Sequence, residues 1–98
     1  MHCRTVIYPR PDDAAAFKAY YEGTHLKLAR KLPGLLRMHF AYPEAVGPVN
    51  VFCIFQAYFE DGAALGAAMA SDAGRAVADD VPNYSPGGAE VFHFPVEA

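Results

Sequence analysis

The chain has 98 residues, of which 53% are hydrophobic and 13% aromatic, and its formal net charge is −3. This length predicts one compact domain over residues 1–98, and the high apolar fraction predicts an interface or a pocket besides the core. The acidic balance excludes a nucleic-acid-binding surface, and no apolar run reaches the ~18 residues of a membrane-spanning helix. Two cysteines and no signal-peptide pattern at the N-terminus favour a cytoplasmic protein with reduced thiols.

The first half of the chain predicts a strand over residues 2–8 and then a long helix. Asp12 or Asp13 can cap this helix, which should run to about residue 32, where a Pro-Gly pair stops it. Gly23 is a weak point, where the helix kinks or another backbone comes close. The inward face of the helix follows three- and four-residue steps: Phe17, Tyr21, His25, Leu28 and Leu32.

The second half predicts two strands, a second helix and a last strand. Residues 35–42 alternate, with Leu36, Met38, Phe40 and Tyr42 on one face and Arg37, His39 and Ala41 on the other. Residues 50–59 are apolar on both faces, so this third strand should be covered on both. The second helix should start at Glu60 or Asp61 and end near Val81, with Leu65, Met69, Ala73 and Ala76 facing inward. Residues 89–95 form the last strand.

This element order predicts an α+β fold, the ferredoxin-like β-α-β-β-α-β sandwich. Right-handed crossovers place both helices on the same face of the sheet and leave the other face bare. Because the third strand is apolar on that bare face too, we expect the chain to form a homodimer through its sheets.

His25 is the first candidate catalytic residue. It lies on the inward face of the first helix, one turn after Tyr21, which is a candidate ligand-binding residue. An imidazole in an apolar pocket can act as a general acid or base, and it can equally be a core histidine held by one hydrogen bond.

His39 is the second candidate, beside Cys53. If the hairpin closes symmetrically about Val46, His39 lies directly opposite Cys53, where a thiol beside an imidazole can be activated. A slip of one residue would remove the pairing, and the cysteine would then be an inert core residue. Arg37, on the same face as His39, could bind a carboxylate or enolate of a ligand or extend to water. The scattered histidines and the absence of phosphate-binding motifs predict no metal and no cofactor.

Two segments resemble the EthD family. One is residues 17–35, with Thr24-His25, Ala29 and Leu32-Pro33-Gly34-Leu35, and the other is Ala78-Asp79-Asp80-Val81-Pro82-Asn83-Tyr84. The resemblance covers nearly the whole chain and implies a ferredoxin-like fold that dimerises through its sheets into an α+β barrel. It also matches His25 to the family's helix histidine. Many members carry proline two residues later, where this chain has Lys27, so the helix should continue here.

The resemblance implies two kinds of function. The family takes its name from ethyl tert-butyl ether degradation, and relatives with this fold include cofactor-free isomerases, polyketide cyclases and small monooxygenases. One hypothesis is therefore a cofactor-independent enzyme acting on a small cyclic or aromatic metabolite. In it, His25 moves a proton while His39, Cys53 or Arg37 steadies an enolate. The other is a non-catalytic protein of a degradation pathway that binds a small apolar ligand. A purely structural dimer would lack a cavity.

Overall fold

Four antiparallel strands form one sheet with helices on one face in the computed structural model, which describes residues 1–97. The strands lie in the order β2-β3-β1-β4, which is the ferredoxin-like α+β fold expected from the sequence. No helix within the described range is long and apolar enough to cross a membrane. The elements are β1 (His2–Tyr8), α1 (Ala14–Tyr20), α2 (Leu26–Ala29), β2 (Arg37–Ala41), β3 (Cys53–Phe59), α3 (Gly62–Ala70), α4 (Asp72–Asp80) and β4 (Glu90–Pro95).

The first helix is continuous from α1 to α2 through a π-helical turn at Tyr21–His25. It begins at Asp13, whose carboxylate accepts a hydrogen bond from the Ala16 N–H at 3.0 Å. The helix runs on through Lys27, as expected in the absence of proline. Gly23 lies within the π turn, and no atom lies within 4 Å of the position that a β-carbon would take there. Within the described residues, no other backbone therefore approaches Gly23 closely.

The second helix is two helices, because the chain breaks at Ser71 and starts again. The Ser71 hydroxyl accepts a hydrogen bond from the Gly74 N–H at 3.1 Å and caps α4. The restart shifts the helical phase, so Gly74 and Val77 are buried while Ala76 is exposed. The predicted inward stripe is thus correct at Leu65 and wrong at Ala76.

The two faces of the sheet have different surroundings. We call the face under the helices the covered face and the opposite one the bare face. Along β3, the fully buried residues alternate with half-buried ones and lie on the covered face: Cys53, Phe55, Ala57 and Phe59. In β2, Met38 and Phe40 are half-buried against the core, whereas Arg37 and His39 are exposed on the bare face. The predicted alternation is confirmed within β2, whereas Leu36, which precedes the strand, is 59% exposed.

The predicted pairing of His39 with Cys53 is wrong. Arg37 pairs with Tyr58 instead of Phe55, a shift of three residues, and His39 pairs with Gln56. The hairpin opens early, and β3 begins only at Cys53. An odd shift moves side chains to the other face. Cys53 therefore pairs with Tyr8 of β1 on the covered face, away from His39.

Candidate functional site

A buried hydrogen bond joins the two halves of the chain above the covered face. His25 Nδ1 lies 2.9 Å from Asp80 Oδ2. His25 comes from the π turn and Asp80 from the last residue of α4, and the two residues are 3% and 8% exposed. The π turn and the capped restart at Ser71 together bring these two side chains into contact.

Asp80 holds a second set of hydrogen bonds with its other oxygen. The Tyr20 hydroxyl donates to Asp80 Oδ1 at 2.6 Å, and Asn83 Nδ2 donates to the same oxygen at 3.0 Å. Burial by itself would raise the pKa of Asp80, but the bonds from Tyr20, Asn83 and His25 outweigh it and lower that pKa. Asp80 is therefore a fixed carboxylate at neutral pH.

His25 is neutral at neutral pH. Burial lowers the pKa of His25 below its ordinary value, and the bond to Asp80 only partly opposes this effect. The neutral ring keeps its proton on Nδ1, which it donates to Asp80, so Nε2 carries a lone pair. Tyr21 Oη is the only fully enclosed side-chain nitrogen or oxygen without a partner within residues 1–97. His25 Nε2 also has no partner there, so it is not fully enclosed, while the residue as a whole is 3% exposed.

Aromatic rings surround the imidazole. The Tyr84 ring centroid lies 4.6 Å from that of His25, and Tyr21 stacks on His25 at 5.6 Å. The Tyr8 and Tyr84 hydroxyls bond to each other at 2.7 Å. Burial raises the pKa of Tyr8 to about 12 and that of the Cys53 thiol to about 12. These groups are thus neutral, and Cys53 is a protonated core thiol in this structure.

An open cavity lies beside the residues that surround Asp80, and neither His25 nor Asp80 is among the residues that line it. Its volume is about 490 Å³, and it lies between the end of β1, the start of α1 and the loop after α4. It shares Tyr20, Asn83 and Tyr84 with the network around Asp80. Phe17 and Tyr20 give it an apolar wall, and Ser85 and Arg10 add polar groups. The predicted site residues Tyr21 and Cys53 lie deeper in the core and do not line it.

A second polar group lies on the bare face, which we call the bare-face row: Thr5, Arg37, His39, Gln56 and Tyr58. His39 Nε2 lies 2.9 Å from Gln56 Oε1, and Gln56 Nε2 donates to the Thr5 hydroxyl at 3.2 Å. The Arg37 guanidinium lies 4.5 Å from the centre of the Tyr58 ring. The sheet separates this row from His25, so His25 and His39 do not form one site within a chain.

The sequence interpretation did not single out the partners of His25. Asp80, Asn83 and Tyr84 stand in the second segment that resembles the EthD family, and Tyr20 stands in the first. A usable signal was therefore present: two segments that match the same family in a short chain are expected to meet. The pairing of His25 with a carboxylate in the second segment could have been predicted on that ground.

The geometry defines a ferredoxin-like α+β protein with a buried histidine–aspartate pair beside a cavity. The chain belongs to the EthD domain family, which matches residues 10–87. An uncharacterized 11.0 kDa protein from the thcB–thcC intergenic region of Rhodococcus erythropolis is 33% identical over 94 residues, covering 94% of this chain and 91% of that protein. The crystal structure of an EthD family protein from Bacillus halodurans C-125 is 26% identical, with a TM-score of 0.90 and 99% of both chains covered.

Two more distant structures share the fold. A dimeric ferredoxin-like protein of unknown function from Jannaschia is 19% identical with a TM-score of 0.70, covering 98% of this chain and 100% of that one. SnoaB, a cofactor-independent oxygenase from Streptomyces nogalater, is 18% identical with a TM-score of 0.66, covering 99% of this chain and 92% of that one. At these identities the likeness concerns the fold.

Proposed function

We propose that this EthD-family protein is a cofactor-independent enzyme that moves a proton on a small cyclic or aromatic metabolite, with His25 as the proton acceptor. The observation that carries the proposal is the buried 2.9 Å contact between His25 Nδ1 and Asp80 Oδ2, which leaves Nε2 without a protein partner within residues 1–97. A neutral imidazole oriented by a carboxylate is the arrangement that general-base catalysis uses.

The proposed step is a proton transfer between the substrate and His25. Nε2 takes a proton from an acidic C–H or O–H of the substrate, which becomes an enolate or phenolate. Asp80 stabilises the imidazolium that forms, because its carboxylate already accepts the Nδ1 proton. In an isomerisation, the proton returns from His25 to another atom of the substrate. In a cyclisation, the enolate carbon attacks a carbonyl carbon of the same substrate, and the oxygen of that carbonyl takes the proton. In an oxygenase reaction, the anion would instead add to dioxygen, which is reduced to a peroxide that takes the proton.

The neighbouring cavity supports a ring-shaped substrate. Its volume of about 490 Å³ falls within the roughly 300–1,000 Å³ that is usual for small-molecule sites. Phe17, Tyr20 and Tyr84 line it with aromatic side chains, of which the half-buried Tyr20 is the most accessible to a ligand ring. The fold gives further support for the class, because SnoaB shares it and is a cofactor-independent oxygenase.

We also propose that the protein is a homodimer that closes the two bare faces on each other. Phe92 and Phe94 are 45% and 37% exposed on the bare face of β4, beside half-buried Ile7 and Ile54. Exposed apolar clusters on a sheet face are typical of protein–protein contacts. Dimeric proteins of the same fold include the one from Jannaschia. Arg37 and His39 would then lie inside a barrel, where they could hold a ligand or position the partner.

A second candidate function is a non-catalytic protein that binds a small apolar ligand. One observation favours it: His25 is only 3% exposed, and Tyr20, Asn83 and His25 together satisfy Asp80 on both oxygens. A network this complete can serve to hold α4 on the first helix. The two candidate functions differ in whether His25 is needed for turnover, and not in whether it is needed for ligand binding.

The test uses thermal shifts and turnover assays of wild type and His25→Ala with a panel of small phenols, quinones and lactones. A ligand specific for the folded state adds about 2.7 kcal/mol at a hundredfold excess over Kd. The enzyme proposal expects that a ligand which stabilises wild type is also turned over. His25→Ala should then lose roughly 10²–10⁴-fold in rate with its fold intact.

Asp80→Asn is the matched variant, because it keeps the side-chain shape and removes the charge that stabilises the imidazolium. Loss of rate in both variants supports the proposed base. Unchanged turnover in His25→Ala would overturn it. Binding without turnover in wild type would assign the protein to the ligand-binding candidate.

A further inference from the structure

A cationic group lies on the covered face, apart from the cavity just described. Arg4 of β1 pairs across the sheet with His93 of β4 and points to the helix side. Its guanidinium is half-buried, and no carboxylate within residues 1–97 lies at ion-pair distance from it. Burial lowers the pKa of Arg4, but an arginine side chain stays charged at neutral pH. Within residues 1–97, this partly desolvated cation therefore has no carboxylate as a counter-charge.

Arg4 forms the floor of a groove between α3 and β4. The groove has a volume of about 240 Å³ and is lined by Arg4, Leu65, Gly66, Met69, Val91 and His93. The helices do not extend over β4, so Val91 and His93 are exposed there. His2 bonds to His93 at 2.7 Å, which adds a second imidazole near the groove. The guanidinium nitrogens have no hydrogen-bond partner within residues 1–97, and none of them is fully enclosed. Solvent therefore reaches this charge.

The groove combines one strong cation with apolar side walls. Leu65, Met69 and Val91 supply apolar surface, and Gly66 leaves room because no atom lies within 4 Å of the position its β-carbon would take. Asp61, the acidic residue next to the groove in sequence, accepts the Ala64 N–H at 2.8 Å and caps α3. A volume below the roughly 300–1,000 Å³ of drug-sized sites suits a ligand with a single ring.

We propose that this groove binds a small monocyclic carboxylate, with the carboxylate paired to the Arg4 guanidinium and the ring packed against Leu65, Met69 and Val91. Arginine binds carboxylates through two parallel hydrogen bonds, and the partly buried position strengthens the contact. The groove goes beyond the proposed reaction and does not depend on it. The Arg4 charge also affects the His25–Asp80 pair, because it contributes to lowering the pKa of His25.

The test is an NMR titration of the whole chain with benzoate and, separately, with its neutral analogue benzamide. In wild type, benzoate should shift the resonances of Gly66, Val91 and His93 and bind at least tenfold more tightly than benzamide. Arg4→Met keeps an apolar stem of similar length and should weaken benzoate binding at least tenfold, with benzamide unchanged. Gly66→Leu fills the groove and should weaken both ligands.

Two control variants separate this proposal from others. Arg30→Met removes an exposed arginine elsewhere and should leave benzoate binding unchanged. His25→Ala should keep benzoate binding even where it abolishes turnover, so failure of the catalytic proposal leaves the groove proposal testable. Thermal unfolding of Arg4→Met checks that the variant folds.

Three results would overturn the proposal. Benzoate and benzamide could bind wild type equally, or Arg4→Met could bind benzoate as tightly as wild type does. Inorganic phosphate could also displace benzoate at equal concentration, which would show a general anion site without recognition of the ring.

Discussion

Residues of the covered face and of the bare face alternate along the same four strands, yet polar groups have different surroundings on the two faces. On the covered face, Asp80 has three protein donors and His25 has a carboxylate partner. On the bare face, His39 bonds to Gln56 and Arg37 stacks on Tyr58, but both residues are exposed, with apolar side chains beside them. The covered face is thus a completed interior, and the bare face has the composition of an interior that a second surface would complete.

This difference shows what the helices contribute to chemistry. Once packed on the sheet, they exclude water from one face, and burial then raises the pKa of Tyr8 and of Cys53 to about 12 while it lowers that of His25. At neutral pH this leaves a charged Asp80 against a neutral imidazole. The same residue types on the bare face gain such an environment only if another surface packs on them.

The largest expected effect distinguishes the two faces by stability. Phe55, 3% exposed on the covered face of β3, should cost about 3–5 kcal/mol of unfolding free energy when changed to alanine. Phe94→Ala on the bare face should cost less than about 1 kcal/mol in the monomer, since surface side chains contribute little. Urea unfolding at low protein concentration measures both. Equal losses would mean that the bare face is as essential to the monomer core as the covered one.

The second effect concerns self-association. Ile54, next to Phe55 in β3, pairs with Ile7 and Ala41 near the middle of the bare face. Ile54→Glu should leave the monomer folded and weaken the dimer at least a hundredfold, because two carboxylates would be buried against each other. Sedimentation velocity over a concentration series gives the dissociation constant. Lys27→Glu, an exposed change on the first helix, is the control. A dimer that survives Ile54→Glu would place the interface elsewhere.

Much of the fold was predictable because it follows from local patterns. β1 was predicted with the bounds it has, and the alternation of β2 identified its two faces correctly. The sequence did not indicate the phase of the second helical region or the register of the hairpin between β2 and β3. Ser71 restarts the helix through one side-chain cap, and the hairpin pairs three residues further along β3 than a symmetric turn predicts. The restart changes the direction of the side chains in the helix that follows, and the register shift changes which residues face each other across the hairpin.

The candidate site was predictable only in part, for a related reason. Periodicity placed His25 on the inward face, and burial confirms that position. Its partner Asp80 stands 55 residues away, and only the tertiary fold brings the two together. The expected neighbour of His39 was inferred from register alone, and the register was wrong. No sequence pattern singled out Arg4, because it is distinguished only by its surroundings: no carboxylate within residues 1–97 lies at ion-pair distance from it.

The smallest expected effect is a pH dependence of stability that comes from the covered face. Burial lowers the pKa of His25 in the folded protein, so the unfolded chain binds a proton more readily at this residue. The contribution of the neutral imidazole is therefore complete above the unfolded pKa of about 6.5 and declines as pH falls below it, until the folded pKa is passed. Asp80, whose folded pKa is also lowered, adds a second loss at more acidic pH, below about 3.9.

His25→Gln isolates this contribution, because glutamine does not titrate and can still donate to Asp80. Urea unfolding of both proteins at a series of pH values between about 7.5 and 5 gives the difference in their free energies. Wild type should lose stability relative to His25→Gln as pH falls, because the comparison removes what the two proteins have in common. If the two curves are parallel, His25 is not the buried neutral base that the contact with Asp80 indicates. A wild type that gains stability at low pH would mean that Asp80 holds a charged imidazolium instead.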